Sequence, residues 1–458
     1  MTRSTQNSGS DPQPAGGYPD LIIKGGLVLT MVEGEEPISG ASIDIADGKI
    51  VNIRKKDEPD TVVPGHTKVM DAMSGIVMPG LINGHTHLAM TLFRGFADDM
   101  SLKEWLFEKI FPAEAAFLNP ETVYWGALLG CLEMISSGTT CLADGYFFQD
   151  ETVLAIHESG LRGLVAQGVL DFPAPGVEDA RDNLKVAGKF IEKWRNFSDL
   201  IVPGIFCHSP STCSDHTLKD ALEISRAYGV PLQLHLSETR DEVIEIKEKT
   251  GKRPVHYLDQ LGLVYEDLIA AHAVHLEEGE IVCLKQAGAK VVHLPESNMK
   301  LASGVMRTAE MIATGLTVGL GTDGCASNNN LDLFGEMDAA AKLAKVVSHD
   351  PTRLTARTVL EMATSRGAAV LGLEKAIGTL EKGKQADIIV IDLHSPHLCP
   401  IYDPVSTLVY SATGGDVRDV IVGGRVLMEN REFVTLDPAA IMDKVRLISR
   451  RIVQKSGS

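Results

Sequence analysis

The chain has 458 residues, 44% of them hydrophobic and 23% charged, the balance of a soluble globular protein able to bury a large core. Its formal net charge of -18 and the lack of any basic run argue against nucleic acid as a partner, because that contact needs a positive surface. The longest apolar runs are strand-length, too short for a membrane span.

In chain order, residues 1–18 are rich in Ser, Gly, Pro and Gln without the apolar stretch of a signal peptide, and read as a flexible tail. From Asp20 to Ile53 short β-rich runs alternate with turn residues. Leu21-Ile22-Ile23 and Leu27-Val28-Leu29 flank Gly25-Gly26, while Ile43-Asp44-Ile45 and Ile50-Val51-Asn52-Ile53 flank Asp47-Gly48. Both pairs read as hairpins closed by small turn residues. The same texture returns at Ala386 to Ile391 and at Val420-Ile421-Val422, Gly423-Gly424, Arg425-Val426-Leu427, which suggests one small β domain built from both chain ends.

Between these flanks the rhythm changes to strand-helix alternation. An apolar run at Ser74 to Pro79 reads as the opening strand, with the Ile76 region leading into His85 and His87. Asn119-Pro120-Glu121-Thr122 then starts a helix with a capping Asn and a first-turn Pro. Further strands are expected at Thr139 to Ala143, Leu161 to Val169, Leu200 to Phe206, Pro231 to Leu236, Leu268 to His272, Lys290 to Leu294 and Val318 to Asp323. Helical patterns such as Val177 to Trp194, Leu218 to Tyr228 and Glu336 to Val347 fill the gaps. Eight strands with helices between them give α/β order, that of a (β/α)₈ TIM barrel. The seven cysteines form no C-x-x-C pair and are odd in number, so free thiols in a reducing cytoplasm are expected.

In such a barrel the chemistry sits at the carboxyl ends of the strands. His85 and His87 lie two apart at the end of the first, where alternation points both the same way. His235 ends the fifth strand, His272 the sixth and Asp323 the eighth. Three imidazoles with one carboxylate suit one divalent ion, Zn²⁺ ahead of Fe²⁺, and leave room for water. Glu238, three residues past His235, is placed to move a proton between that water and the leaving side. The fourth strand contains no Lys, which disfavours a two-metal site bridged by a carbamylated lysine.

The set Pro79-Gly80-Leu81-Ile82-Asn83-Gly84-His85-Thr86-His87, His235 with Glu238, His272, and Gly321-Thr322-Asp323 resembles the amidohydrolase superfamily. Met90 to Gly95, Glu104-Trp105-Leu106, His208-Ser209-Pro210 and Pro295 to Gly304 narrow the resemblance, over about Asp20 to Phe433, to a single branch. It comprises 5-methylthioadenosine/S-adenosylhomocysteine deaminases and atrazine chlorohydrolase-like enzymes. The resemblance implies a distorted barrel over 76–379, a composite β-sandwich over 19–75 and 380–435, and a C-terminal helical segment over 436–458.

The resemblance also implies hydrolytic removal of an amino or chloro substituent from a nitrogen heterocycle, adenosine-type nucleosides being the leading substrates. Metal ligands fall on His85, His87, His235 and Asp323, and the proton shuttle on Glu238. His272 matches the group that orients water or polarises the ring, and Asp323 takes part in proton transfer. Glu114 matches an acid used for ribose hydroxyls, and His208 a substrate-contacting histidine.

The sequence departs from the branch where an amino-acid tail would bind. Gln167 lies in the stretch where an arginine is expected and Asp179 where a second is, so a shifted role falls to Arg181, with Arg162 nearby. The alternatives are a triazine-type hydrolase and a non-catalytic ligand-binding barrel. The expected partner is a small molecule, and homo-oligomer formation is left open.

Overall fold

The protein's structure, a computed structural model, describes residues 18–59, 65 and 67–456; the tail expected over residues 1–18 lies outside them up to residue 17. Eight parallel strands form the central sheet in chain order: Leu81–Thr86, Thr139–Tyr146, Arg162–Val169, Ile201–Cys207, Leu232–Leu236, Leu268–His272, Lys290–His293 and Thr317–Leu320. They are apolar and buried on both faces, as parallel strands covered by helices must be. Alternation sorts the side chains. Leu164, Ala166, Ile269 and Ala271 fill the barrel interior, while Val165, Val169, Leu268 and Ala270 pack outward under the helices.

The barrel is distorted where its first and last strands meet. No ladder joins Leu81–Thr86 to Thr317–Leu320. The seam is closed instead by Asp323 N–H donating to the His85 carbonyl at 3.1 Å, and by Asn83, whose amide donates to Thr322 Oγ1 at 2.7 Å. The residues that close the barrel are therefore neighbours of the candidate metal ligands.

The covering helices follow from local sequence. Asn119 caps Pro120–Ser136 by accepting from Thr122 N–H, and Ser214 caps Asp215–Tyr228 in the same way, with Gly229 ending it in the left-handed conformation. Asn183–Trp194 buries Ala187, Phe190, Ile191 and Trp194 on one face and leaves Lys185, Lys189 and Lys193 exposed. Each large apolar side chain so buried contributes about 1.5–3 kcal/mol. Among the described residues no helix is long and apolar enough to cross a membrane, and all seven cysteines are free.

Two further sheets use the chain ends. One orders Lys49–Arg54, Ser42–Ala46, Leu21–Lys24 and Lys68–Asp71; the other orders Glu432–Phe433, Arg425–Glu429, Val417–Val422, Ile388–Asp392, Gly75–Pro79, Leu27–Val28 and Ile38–Ser39. The hairpin at Asp47-Gly48 forms as expected, and Val417–Val422 and Arg425–Glu429 make another at Gly423-Gly424. The one expected at Gly25-Gly26 does not. Leu21–Lys24 and Leu27–Val28 enter different sheets, and the positive φ of both glycines turns the chain from one to the other.

The opening strand is also corrected. Gly75–Pro79 pairs with Ile388–Asp392 and Leu27–Val28, so the first barrel strand is Leu81–Thr86. Gly80 is the joint between them, and a Cβ there would stand 2.1 Å from Thr140 Oγ1 and Cγ2. Gly80→Ala is therefore expected to destabilise the fold by about 1–3 kcal/mol or more, read as a lowered urea midpoint at unchanged slope.

Candidate metal centre and active site

A cleft of about 1270 Å³ opens at the carboxyl end of the barrel, and His87, His208, His235, Glu238, His272 and Asp323 line it. His85 stands beside them, fully buried. Several of these side chains are delivered by unusual backbone. Ser237, His272, Ala273 and Asp323 have φ of 50°, 69°, 49° and 61°, a region that costs non-glycine residues on the order of 1–3 kcal/mol each. At His272 the reason is visible. Ile269 and Ala271 face the interior, so strict alternation would point residue 272 at the helices, and the left-handed turn brings its ring to the site.

Three imidazoles, of His85, His235 and His272, and the Asp323 carboxylate surround one point, with His87 against the same carboxylate. His85 Nε2 lies 3.2 Å from His235 Nε2 and 3.8 Å from Asp323 Oδ1, and His87 Nε2 lies 3.3 Å from the same oxygen. One donor atom from each of His85, His235, His272 and Asp323 falls within 4.8 Å of all the others. For a tetrahedral ion with bonds of about 2.1 Å to nitrogen, neighbouring donors stand about 3.4 Å apart. The observed spacings bracket that value. The two Nε2 atoms at 3.2 Å inside a buried site have the spacing of two ligands to one shared cation. His87 Nδ1–H donates to the Gly145 carbonyl at 2.5 Å, which leaves its Nε2 lone pair free for an ion.

The electrostatics agree with that arrangement. Burial, reinforced by neighbouring imidazoles, holds His85 and His235 well below the usual histidine range, so both are neutral and able to ligate. Burial would raise Asp323, but the imidazoles of His87, His272 and His85 outweigh it and hold the carboxyl low. Ser297 and Ser327 hydroxyls both donate to Asp323 Oδ2, at 2.6 and 2.8 Å, leaving Oδ1 to face the histidines.

Glu238 is shifted upward by burial, against the attraction of His272. Its Oε1 accepts from Ser303 Oγ at 3.1 Å and its Oε2 stands 3.7 Å from His272 Nε2. For His272 burial lowers the value, but the carboxylates of Glu238 and Asp323 raise it above the ordinary one. The acid Glu242 holds the turn beneath them, accepting from Ser237 N–H at 3.0 Å and Glu238 N–H at 2.8 Å.

Beside the metal point lies a narrower recess lined by Met90, Leu106, Phe111, Phe147, Leu170 and His208, with Glu114 at its wall. Glu114 is buried, and Tyr146 OH donates to its Oε1 at 2.6 Å. Burial pushes its carboxyl up to about 8 despite that bond, so at neutral pH it is protonated, with an O–H to donate. His208 Nδ1 pairs with Thr212 Oγ1 at 3.0 Å, and burial beside His87 drives it down to about 3.

The model of the amidohydrolase family matches residues 76–427. The chain belongs to the amidohydrolase family. This amidohydrolase is 44% identical over 433 residues to the 5-methylthioadenosine/S-adenosylhomocysteine deaminase of Syntrophobacter fumaroxidans, covering 94% of this chain and 98% of that one. It is 45% identical over 442 residues to the 5'-deoxyadenosine deaminase of Methanosarcina mazei, covering 96% and 100%.

Among solved structures, the zinc-bound adenosine deaminase of Xanthomonas campestris superposes with a TM-score of 0.92 at 36% identity, covering 95% of this chain and 99% of that one. The zinc-complexed atrazine chlorohydrolase of Arthrobacter aurescens superposes with a TM-score of 0.86 at 25% identity, covering 94% and 100%.

The structure gathers His85, His87, His235, Glu238, His272, Asp323, His208 and Glu114 at one end of this amidohydrolase. It does not bring Gln167 or Arg181 there. Gln167 shares the outward parity of Val165 and Val169, and its Oε1 accepts from Gln149 N–H at 3.4 Å. Arg181 is 90% exposed and paired with Asp179, and Arg162 is spent on buried Asp387. The partners Tyr146, Ser303 and Glu242 were not foreseen. Ser297, Asn298 and Ser303 lie within the Pro295–Gly304 stretch, but a polar run after a strand carries no mark of the distant residue it will meet.

Glu114 makes a stability prediction. Because its folded pKa of about 8 exceeds the unfolded value, the folded state holds the extra proton between roughly pH 4.5 and 8, and stability falls as pH rises through that window. Glu114→Gln removes the cost, on the order of a few kcal/mol at full effect. Its Tm is expected to rise relative to the parent more at pH 9 than at pH 6.

Proposed function

We propose that this amidohydrolase is a metal-dependent aminohydrolase that releases ammonia from C6 of adenosine-type nucleosides. The observation that carries the reading is the convergence of several imidazoles, His85 and His235 among them held neutral by burial, with the ionised Asp323 carboxylate beside the buried acid Glu238. The similarity to deaminases at 44–45% identity supports it. We assign the ligands to His85, His87, His235 and Asp323 and the ion to Zn²⁺, which suits neutral imidazoles with a carboxylate. When bound, the ion supplies the Lewis acidity that makes water nucleophilic at neutral pH.

The chain's own residues do the rest. Glu238, partly desolvated and free at Oε2, takes a proton from the attacking water and delivers it to the ring nitrogen beside the amine-bearing carbon, where negative charge would otherwise build. His272 Nε2 faces the same space and holds the water in line. Asp323, kept anionic, accepts the second proton for the departing ammonia. Glu114, neutral and anchored by Tyr146, meets the ribose hydroxyls, and His208 contacts the substrate as a neutral ring.

The walls around Glu114 select the 5' substituent. Met90, Leu106, Phe111, Phe147 and Leu170 line the recess, with no Lys or Arg among the described residues there, whereas Lys103, Arg240 and Lys300 line only the wider cleft. A carboxylate placed there would lose its water without a partner, at a cost of several kcal/mol. Methylthioadenosine and 5'-deoxyadenosine are therefore preferred to S-adenosylhomocysteine. The test is an ammonia-release screen of the zinc-loaded enzyme across those three compounds, adenosine, guanine and atrazine. The expected result is kcat/KM for methylthioadenosine at least about a hundredfold above that for S-adenosylhomocysteine, the gap that an unpaired buried charge produces. Equal values would overturn the recess assignment, and chloride release from atrazine in place of ammonia from nucleosides would overturn the reaction class.

A further inference from the structure

Three reacting side chains from three different barrel strands are held by one short segment that belongs to none of them. After the seventh strand the chain runs through the helix Pro295–Lys300 to Ser303. Ser297 Oγ donates to Asp323 Oδ2 at 2.6 Å. Asn298 Oδ1 accepts from His272 Nδ1–H at 2.9 Å. Ser303 Oγ donates to Glu238 Oε1 at 3.1 Å. In each case the segment holds one atom and leaves the other to a neighbouring site group, Ser327 sharing its hold on Asp323 Oδ2 at 2.8 Å: Asp323 Oδ1 lies toward His87 and His85, and His272 Nε2 and Glu238 Oε2 stand 3.7 Å apart.

The segment is itself anchored. Ser297, Asn298 and Ser303 are buried, and the Ser303 carbonyl accepts from His275 Nε2–H at 2.7 Å. His275 belongs to the loop that follows the sixth strand, three residues past His272. The chain leaving that strand and the 297–303 segment therefore hold each other, while the segment reaches across to the fifth and eighth.

We propose that residues 297–303 form a single positioning element that sets, at once, which oxygen of Glu238, which nitrogen of His272 and which oxygen of Asp323 face the reaction. Fixing ligand and proton-carrier orientation from an outer layer of hydrogen bonds is worth about 10- to 100-fold in metal affinity or activity. The roles of Glu238 and His272 in this inference rest on the proposed deamination; the link to Asp323 does not.

The experiment has two arms. In the first, steady-state ammonia release is measured for Ser303→Ala, alone and in a Glu238→Gln background. Ser303→Ala is expected to lower kcat about 10- to 100-fold with KM within about twofold. In the Glu238→Gln background it is expected to add nothing further, because the hydroxyl acts only through that carboxylate. Ser303→Thr, which keeps the hydroxyl, is expected to recover most of the rate. A kcat within twofold of the parent, or an equal further loss in the Glu238→Gln background, overturns the proposal.

The second arm needs no substrate. Zn²⁺ affinity by chelator competition is expected to weaken about tenfold or more in Ser297→Ala and to stay unchanged in Ser303→Ala. Unchanged affinity in Ser297→Ala overturns the proposal even for a protein that releases no ammonia, whereas absence of ammonia from the parent enzyme counts against the deaminase reading alone.

Discussion

Glu238→Gln is expected to bind its metal as tightly as the parent and to lose on the order of a thousandfold in kcat, within the range of 10²- to 10⁴-fold that a positioned general acid–base supplies. The substitution is nearly isosteric, and Ser303 Oγ, 3.1 Å from Oε1, can still donate to the amide oxygen. Nor does the change touch His85, His87 or Asp323, whose mutual spacings are 3.3 and 3.8 Å. What disappears is a site that can take up and give back a proton. Metal content by mass analysis alongside turnover checks both halves, and a variant that turns over at near-parental rate refutes the shuttle.

Removal of the metal should have the larger effect. Chelation is expected to abolish ammonia release, and added Zn²⁺ to restore it. His235→Ala is expected to be inactive under both conditions. His235 Nε2 stands 3.2 Å from that of His85, so its loss opens the ligand set on the side where the two imidazoles face each other. A ligand bound only by the folded state stabilises by mass action, about 2.7 kcal/mol at a hundredfold excess over Kd. Zn²⁺ should therefore raise the Tm of the chelated parent and leave that of His235→Ala in place. Equal Zn²⁺-induced shifts in the two proteins would remove His235 from the ligand set.

Some of this protein is decided by local rules alone. The continuous apolar runs, the Asn119 and Ser214 caps and the spacing of glycines place the barrel strands and many of the helices within a few residues, because each depends on neighbours in the chain. His85, His87, His235, His272 and Asp323 could be singled out because a barrel puts strand ends on one rim, so position in the count is enough to group them.

What tertiary structure decided is wherever partners are remote or parity is broken. Gly75–Pro79 is as apolar as a barrel strand, and only its pairing with Ile388–Asp392 assigns it to the end sheet. Gln167 sits in the right strand, but its parity turns it outward to Gln149, while Arg181 closes locally on Asp179. His272 has the opposite parity to the ring of groups it joins, and a left-handed φ of 69° brings it in. That conformation persists because its surroundings hold it there, and Ser303 reaches Glu238 across 65 residues for the same reason: hydrogen bonds and backbone strain are settled by what packs against a residue, whereas alternation and capping are settled by what precedes and follows it.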